Sequence, residues 1–398
     1  MNPTMNFTYK CSDCGQTYPI DPSLTVCPAC SERQVSDQPL QGVLEVELDG
    51  RATRDFDPLD LLPVPREYFP PIPVGNTPLW EPLNLRRSLG FGQLYIKDDG
   101  LNPTYSLKDR ASYLVSAFAA QHRIDEIILA STGNAGSSMA GVGAAAGQKI
   151  TLFLPAAAPR AKLIQALQYG ATVHRVDGPY DQAYDLSLEY SRRFGGMNRS
   201  TAYNPMTLEG KKTVALEIYQ QLGCAPDYIF VSTGDGCILS GVYKGFRDLR
   251  QLELIDAIPR VISVQAEGSD ALFRAYTSGK FQARPTQTVA DSICVDVPRN
   301  GRHALKQIQT RGGRVITVSD DAIIAAQYQL SRTSGLFTEP AGAAAFAGFL
   351  SIRKELPATA RIVVLATGNG LKDSAAAGQG IDLPDHTIQS LGDITKGP

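Results

Sequence analysis

From residue 90 onward the chain alternates short apolar runs with stretches of helical periodicity, and this alternation constrains its fold more than any other feature. LYIKDD precedes SLKDRASYLVSAFAAQ, EIILAS precedes GNAGSSMAGVGAAAG, KITLFLP precedes PRAKLIQALQYG, and ATVHRVDG precedes YDQAYDLSLEYSRRFG. A long helix-like TLEGKKTVALEIYQQLG follows, then DYIFVST leading into ILSGVYKGFRDLR, with RVISVQAEG and RIVVLATGNG as later strands. Runs that are apolar throughout need cover on both faces, which helices crossing over a parallel sheet provide. The expected class is α/β, with doubly wound parallel-sheet lobes; no solenoid-length repeat competes with it.

At 398 residues the chain exceeds one domain of roughly 150 residues. Three segments are expected: a cysteine-rich ribbon over 1–36, a linker and N-terminal wrap over 37–90 that contains LLPVPREYFPPIP, and a body over 91–398 of two interleaved lobes, the smaller at about 106–210. With 38 basic and 40 acidic side chains the net charge is −2, which offers no footprint for nucleic acid or an anionic membrane and points to a small-molecule partner. MNPTMNFTYK is not a basic stretch followed by an apolar run, and no window approaches the roughly 18 apolar residues of a membrane span, so a cytoplasmic protein is expected.

CSDC and CPAC place Cys11, Cys14, Cys27 and Cys30 in two Cys-x2-Cys pairs separated by twelve residues, a spacing that brings four thiolates around one tetrahedral ion. Four thiolates leave no position for water, so the expected ion is structural, zinc before iron; a redox or disulfide pair is the competing interpretation. The remaining cysteines, Cys224, Cys237 and Cys294, are scattered. His122, His174, His303 and His386 show neither metal spacing nor a nucleophile elbow.

KDDGLNPTYSLKDRAS puts Lys108 just inside a predicted helix, with Ser106 as its expected cap. Three loops, STGNAG at 131–136, STGDGC at 232–237 and ATGNG at 366–370, each follow a strand-like run and converge on the carboxyl edge of a sheet, where open α/β folds bind ligands. In STGDGCIL, Gly234 and Gly236 let the backbone approach an anion and the next helix presents free N–H groups, so a phosphate is expected there. Neither the dinucleotide glycine fingerprint nor the P-loop pattern is present.

These motifs, together with GNTPLW at 75–80, LNPTYSLKDR, NPMTLEGKKT at 204–213, TEPAGAAA at 338–345 and ATGNGLKD at 366–373, resemble the threonine synthase-like branch of the fold-type II pyridoxal phosphate (PLP) enzymes, the tryptophan synthase β-like superfamily. The resemblance implies a lyase of amino-acid metabolism whose Lys108 carries PLP as an imine and later handles the Cα proton. Asn134 would hydrogen-bond the cofactor's 3'-hydroxyl, the backbone of Gly234, Asp235, Gly236, Cys237 and Ile238 would cradle its phosphate, and Thr367 would face its pyridine nitrogen. Ser131, Thr132 and Gly133 would face a small amino-acid substrate. A neutral threonine at the ring nitrogen makes a modest electron sink and favours elimination and replacement over transamination. A homodimer is expected by the same likeness.

Threonine synthases release phosphate from O-phospho-L-homoserine, and several positions that clamp that phosphate differ here: Thr207 stands for an arginine, Ala202 for a serine, Ile238 for an asparagine and Ala135 for a threonine. Tyr105 and Leu107 replace a glycine and a phenylalanine beside the lysine. Lys97, Arg110, Lys211 and Lys212 are candidate replacements for the missing charge. The expectation is threonine synthase chemistry or, failing the clamp, β-elimination or β-replacement on an unphosphorylated serine- or threonine-like amino acid. A catalytically silent binding or regulatory module is the reading from another class.

Overall fold

Alternate residues of the buried strands point into two different cores. The protein is described by a computed structural model covering residues 5–158, 160–178, 180–379, 381 and 387–390, with the backbone alone for 160–162. His386 and the ends of the first and last expected segments, 1–4 and 391–398, lie outside the described residues.

A six-stranded sheet runs in the order Arg314–Val318, Arg260–Ala266, Tyr228–Ser232, Ile362–Ala366, Leu94–Asp98 and Leu79–Trp80, parallel except for the last short strand. On one face Ile229, Val231, Val261, Val315, Val363 and Leu365 join the helices Thr213–Leu222 and Cys237–Gln251. On the other, Phe230, Ile262, Val264, Ile316, Ile362 and Val364 meet the helix Pro340–Ile352 and its neighbours. Both faces are covered, which is why these strands are apolar along their whole length. A second, fully parallel sheet of four strands, Thr172–Val176, Lys149–Pro155, Glu126–Ala130 and Met197–Asn198, divides its residues between two further cores.

The cysteine-rich segment builds a three-stranded antiparallel sheet of Thr17–Tyr18, Asn6–Cys11 and Leu44–Asp49. Its third strand lies inside the segment expected to be linker, so the ribbon extends past residue 36. LEVELD carries three acidic residues in six and gives no apolar run, yet Glu45 is buried against Arg247 and His303. The wrap also contributes Leu79–Trp80 to the large sheet and a helix over Leu83–Leu89. The stretch expected to be one helix from Thr207 is two, Pro205–Lys211 and Thr213–Leu222, divided where Lys212 N–H bonds the carbonyl of Glu209, three residues back. Among the described residues no helix is long and apolar enough to cross a membrane.

Two buried charge networks hold helices to the sheets. Arg110 donates to both carboxylate oxygens of Asp99 (2.6 and 2.8 Å) and of Glu217 (2.5 and 2.8 Å), and Lys97 adds a 2.6 Å bond to Glu217. Lys212 and Lys244 share Asp248 and Glu209 in the same way, with Lys212 to Asp248 at 2.7 Å. Burial opposes ionisation of Glu217, but Arg110 and Lys97 outweigh it and pull its pKa from 4.5 to about 2. The folded pKa lies below the unfolded one, so this contribution is present above pH 4.5 and is lost as pH falls toward 2. Glu217→Gln is expected to lower stability by about 3–5 kcal/mol, because it leaves buried cations unpaired. Asp60→Asn, at an exposed pair with Arg66, should cost about 1 kcal/mol or less. Urea unfolding of both variants at pH 7, and of the wild type down to pH 3, checks these values.

Candidate active site

Lys108 is the first residue of the helix Lys108–Gln121 and is partly accessible, while its neighbours on both sides are buried. Asp109 accepts from the Thr104 backbone N–H at 2.7 Å and from the Thr104 hydroxyl, and Arg110 is locked as described. The backbone of the lysine is thus fixed by residues that face the core, leaving its side chain to the cleft. The expected Ser106 cap is absent: Leu107 is the N-cap residue, without a side-chain bond, and the Ser106 hydroxyl is buried without a partner.

The loop after Ile362–Ala366 is stitched to the lysine loop. Leu107 N–H donates to the Thr367 carbonyl (2.9 Å), Asn369 N–H donates to the Tyr105 carbonyl (3.0 Å), and Ser106 bridges Gly368. Thr367 is thereby joined to the loop that carries Lys108. Tyr105 adopts φ +70°, the left-handed region, which costs a side-chain-bearing residue roughly 1–2 kcal/mol.

Asn134 opens the helix Asn134–Ala146, and its amide nitrogen donates to both carboxylate oxygens of Glu339 (2.9 and 3.0 Å) and to the Ser292 hydroxyl (3.1 Å). Glu339 is the N-cap residue of Pro340–Ile352; it is buried, and its N–H donates to the Gly368 carbonyl. Burial raises its pKa, opposed by the Asn134 bond, Lys372 and Lys108. Its partner Asn134 is 205 residues away in the chain, so nothing local signals the pairing. Ser131 is turned to its own loop, its hydroxyl accepting from Gly133 N–H (3.3 Å) and Gly136 N–H (3.0 Å). Thr132 and Gly133 are half-exposed at the tip of that loop.

Gly234 to Ile238 form the turn from Tyr228–Ser232 into the helix Cys237–Gln251. Gly236 has φ +88°, and a Cβ there would lie 2.7 Å from the Ala304 Cβ; one on Gly234 would lie 2.9 Å from the Ile293 Cα. The first N–H groups of that helix have no intrahelical acceptor, as an anion cradle requires. One of them is taken: Asp235 accepts from Cys237 N–H at 2.8 Å and from the Thr201 hydroxyl at 2.7 Å. Burial pushes the Cys237 thiol up to about 11, whereas for Asp235 burial is outweighed by Lys108 and Lys211, which hold its carboxyl low. Ile238 presents its side chain to the apolar core, leaving only its backbone to the cradle.

Two cations meet at this turn. Lys211 is 2 % exposed, has no hydrogen-bond or ion-pair partner among the described residues, and is brought close by Gly241, where a Cβ would lie 2.7 Å from that of Lys211. Burial lowers its pKa to about 8, with Lys108 and Arg199 adding to the effect against Cys237 and Asp235. Arg199, which the sequence reading overlooked, is equally buried; it donates to the Ser112 hydroxyl (3.0 Å), its Nε has no partner, and burial lowers its pKa to about 10. Of the four candidate replacements for the missing charge, Lys97, Arg110 and Lys212 are consumed by buried carboxylates, and Lys211 alone is left to the site. The glycine turn, the unpartnered Arg199 Nε and the half-free Lys108 together fit a phosphorylated aldehyde such as PLP.

In the cysteine ribbon the sulfurs of Cys11 and Cys30, and of Cys14 and Cys27, are 3.8 Å apart, all four ligand atoms lie within 4.8 Å of one another, and the cysteines are free. The Tyr18 hydroxyl lies 3.1 Å from the Cys27 sulfur.

Residues 72–368 match the family described as "Pyridoxal-phosphate dependent enzyme". The chain is 33 % identical over 379 residues to a threonine synthase of Methanocaldococcus jannaschii, covering 92 % of this chain and 93 % of the relative. It is 34 % identical over 322 residues to a threonine synthase of Mycobacterium bovis, covering 80 % and 88 %. Among solved structures it is similar in fold to the processed form of threonine deaminase isoform 2 from Solanum lycopersicum, with a TM-score of 0.67 at 23 % identity over 79 % of this chain and 88 % of that one.

Gly236→Ala combines a left-handed φ with the Ala304 contact, and it is expected to weaken cofactor retention at least tenfold, measured by PLP titration of the apoprotein. Gly223→Ala also changes a left-handed glycine, but nothing lies within 4 Å of its Cβ; it should cost about 1 kcal/mol of stability and leave cofactor affinity unchanged.

Proposed function

The chain belongs to the pyridoxal-phosphate dependent enzyme family, in its threonine synthase-like branch of lyases, and we propose that it converts O-phospho-L-homoserine and water to L-threonine and inorganic phosphate. The observation that carries this reading is the buried, unpartnered Lys211 beside Arg199. A lysine stem buried in the protein, with no direct ion pair for its ammonium, is stabilised when an anionic ligand group arrives. The charge lost where Thr207 stands for an arginine is supplied again from one helical turn further on. Thr207 itself bonds the Asn204 carbonyl and contributes no charge.

When bound, PLP would supply an electron sink for the substrate's Cα. Lys108 would remove the Cα proton and return protons to the product carbon skeleton. Asn134, whose amide nitrogen is taken by Glu339 and Ser292, would offer its Oδ1 to the cofactor's 3'-hydroxyl, and Thr367, on the loop bonded to Leu107, would meet the ring nitrogen with a neutral hydroxyl. The backbone of Gly234 to Ile238 would hold the cofactor phosphate. Ser131, whose hydroxyl is engaged by its own loop, shapes that loop so that the tip residues Thr132 and Gly133 receive the substrate carboxylate. Lys211 and Arg199 draw the departing phosphate's charge.

Asp235 favours a second reading. Its carboxylate already occupies one cradle N–H and adds negative charge beside the cations, which suits an unphosphorylated serine- or threonine-like substrate. The two readings separate on turnover: threonine and phosphate should appear in equal amounts from O-phospho-L-homoserine. Lys211→Ala should then cost about ten- to a hundredfold in kcat/KM, the value of a charged hydrogen bond of about 1.5–3 kcal/mol. Ammonia and a ketoacid from serine or threonine, with no phosphate release, would favour the second.

For the ribbon we propose structural zinc. A tetrahedron with Zn–S bonds of about 2.3 Å has S···S edges of about 3.8 Å, the separation seen for both pairs of sulfurs. The ribbon, the wrap and the two-lobed body are proposed as one cytoplasmic homodimer, on the family likeness and the reduced cysteines. Metal analysis should find one zinc per chain and no iron. Cys14→Ser should lower zinc content while the lysine-bound cofactor absorbance persists.

A further inference from the structure

Glu339 stands at the N-cap position of the helix Pro340–Ile352 but does not cap it: its side chain makes no bond to the helix, and glutamate is not a residue that favours this position. It is 3 % exposed, and its carboxylate has no ion-pair partner among the described residues. Lys108, Lys372 and Asp373 act on it only through space. The donors that do bond it are neutral, the Asn134 amide to both oxygens (2.9 and 3.0 Å) and the Ser292 hydroxyl (3.4 Å). A buried carboxylate held by neutral donors alone costs stability, which points to a use for its position.

That position fixes the Asn134 amide. A primary amide has a donor end and an acceptor end, and an ionised carboxylate admits only the donor end, since Oδ1 placed as close to both Glu339 oxygens would be repelled. With Nδ2 taken by Glu339 and Ser292, Oδ1 is left over: it accepts no hydrogen bond among the described residues and is not sealed from solvent. Glu339 also touches the other side of the site. Its N–H donates to the Gly368 carbonyl (3.0 Å), and a Cβ on Gly368 would lie 2.3 Å from its Oε1, so the carboxylate is packed against the loop that carries Thr367.

We propose, on the placement of Asn134 at the cofactor's ring oxygen given above, that Glu339 is a positioning residue that sets the protonation of that oxygen. By holding the donor end of Asn134 it turns Oδ1 to the ring oxygen and raises the share of cofactor whose oxygen keeps its proton. An amide turned over, with Nδ2 to the ring oxygen, favours the deprotonated oxygen instead, because a hydrogen bond donated to the charged form stabilises it. Glu339→Gln keeps the size of the side chain and removes the charge; the new amide can donate to Oδ1, which frees Asn134 to turn over.

Lysine-bound cofactor absorbs in the near ultraviolet with its ring oxygen protonated and in the visible with it deprotonated, so the ratio of the two bands reports this proton. The test is the spectrum of the full-length, PLP-loaded protein at one pH with unbound cofactor removed, each variant being checked for folding by thermal unfolding. The visible-to-ultraviolet ratio is expected to rise about fivefold or more in Glu339→Gln and in Asn134→Ala, as one hydrogen bond gained or lost at that oxygen gives, and to stay within about twofold in Ser292→Ala, which leaves the carboxylate in place. If Glu339→Gln does not fold, Gly368→Ala, which displaces the same carboxylate, is held to the same expectation. A ratio that rises in Asn134→Ala but not on disturbing Glu339 overturns the proposal and leaves Asn134 at the ring oxygen. A rise in Ser292→Ala equal to that in Glu339→Gln also overturns it, since the hydroxyl then sets the amide. A ratio unmoved in every variant removes Asn134 from the ring oxygen and overturns placement and proposal together.

Discussion

Everything at the cleft depends on one buried guanidinium. Arg110 lies two residues after Lys108 and is clamped between Asp99, at the end of a sheet strand, and Glu217, on a helix behind the sheet. The Glu217 carboxylate also accepts the backbone N–H of Asn76 (2.8 Å), and Thr77 donates its hydroxyl to Asp99 (2.7 Å), so the GNTP segment hangs on the same network. A buried cluster of this kind gains little over well-packed apolar residues in stability, and what it supplies is position. The lysine's backbone cannot slide along the sheet without leaving charge unpaired, while its amine stays outside the cluster and available.

The same economy explains the strained tyrosine. A left-handed residue is normally glycine, and Tyr105 stands where the resemblance places one. Its strain of roughly 1–2 kcal/mol is small beside the bonds that fix its surroundings: its own carbonyl to Asn369, Leu107 to Thr367 and the Thr338 hydroxyl to the Gly368 carbonyl. A half-exposed aromatic ring is thereby held at the mouth of the cleft, where a glycine would leave space. Ala202 repeats the pattern on the opposite side with φ +60°, so two of the positions that differ from the family are also positions of backbone strain.

Strands such as DYIFVST and RIVVLATG were legible because parallel strands covered on both faces carry unbroken apolar runs, and the glycine loops were legible because they follow those runs directly. The strand Leu44–Asp49 was not, since Glu45 is buried against Arg247 and His303, both more than 200 residues later. Lys97, Arg110, Lys211 and Lys212 looked equivalent as charges in a string; packing separated them, giving three to carboxylates and leaving one to the cleft. Arg199 was invisible for the converse reason: on a loop after a two-residue strand it has the look of a surface residue, and only the approach of Ser112 and the cradle helix buries it.

The charge at the cradle bears on what the cleft is made to receive. Lys211 and Arg199 face the carboxylate of Asp235, and Lys108 lies near both Asp235 and Glu339. A cofactor phosphate near neutral pH brings about two negative charges to this set. A second phosphate, on the substrate, must then be accommodated by redistribution. Lys211, with a pKa of about 8, is mostly protonated at neutral pH, and an arriving dianion would raise that pKa and complete the protonation. The bound anion thus extends the positive charge of Lys211 to more alkaline pH, where burial alone would remove it.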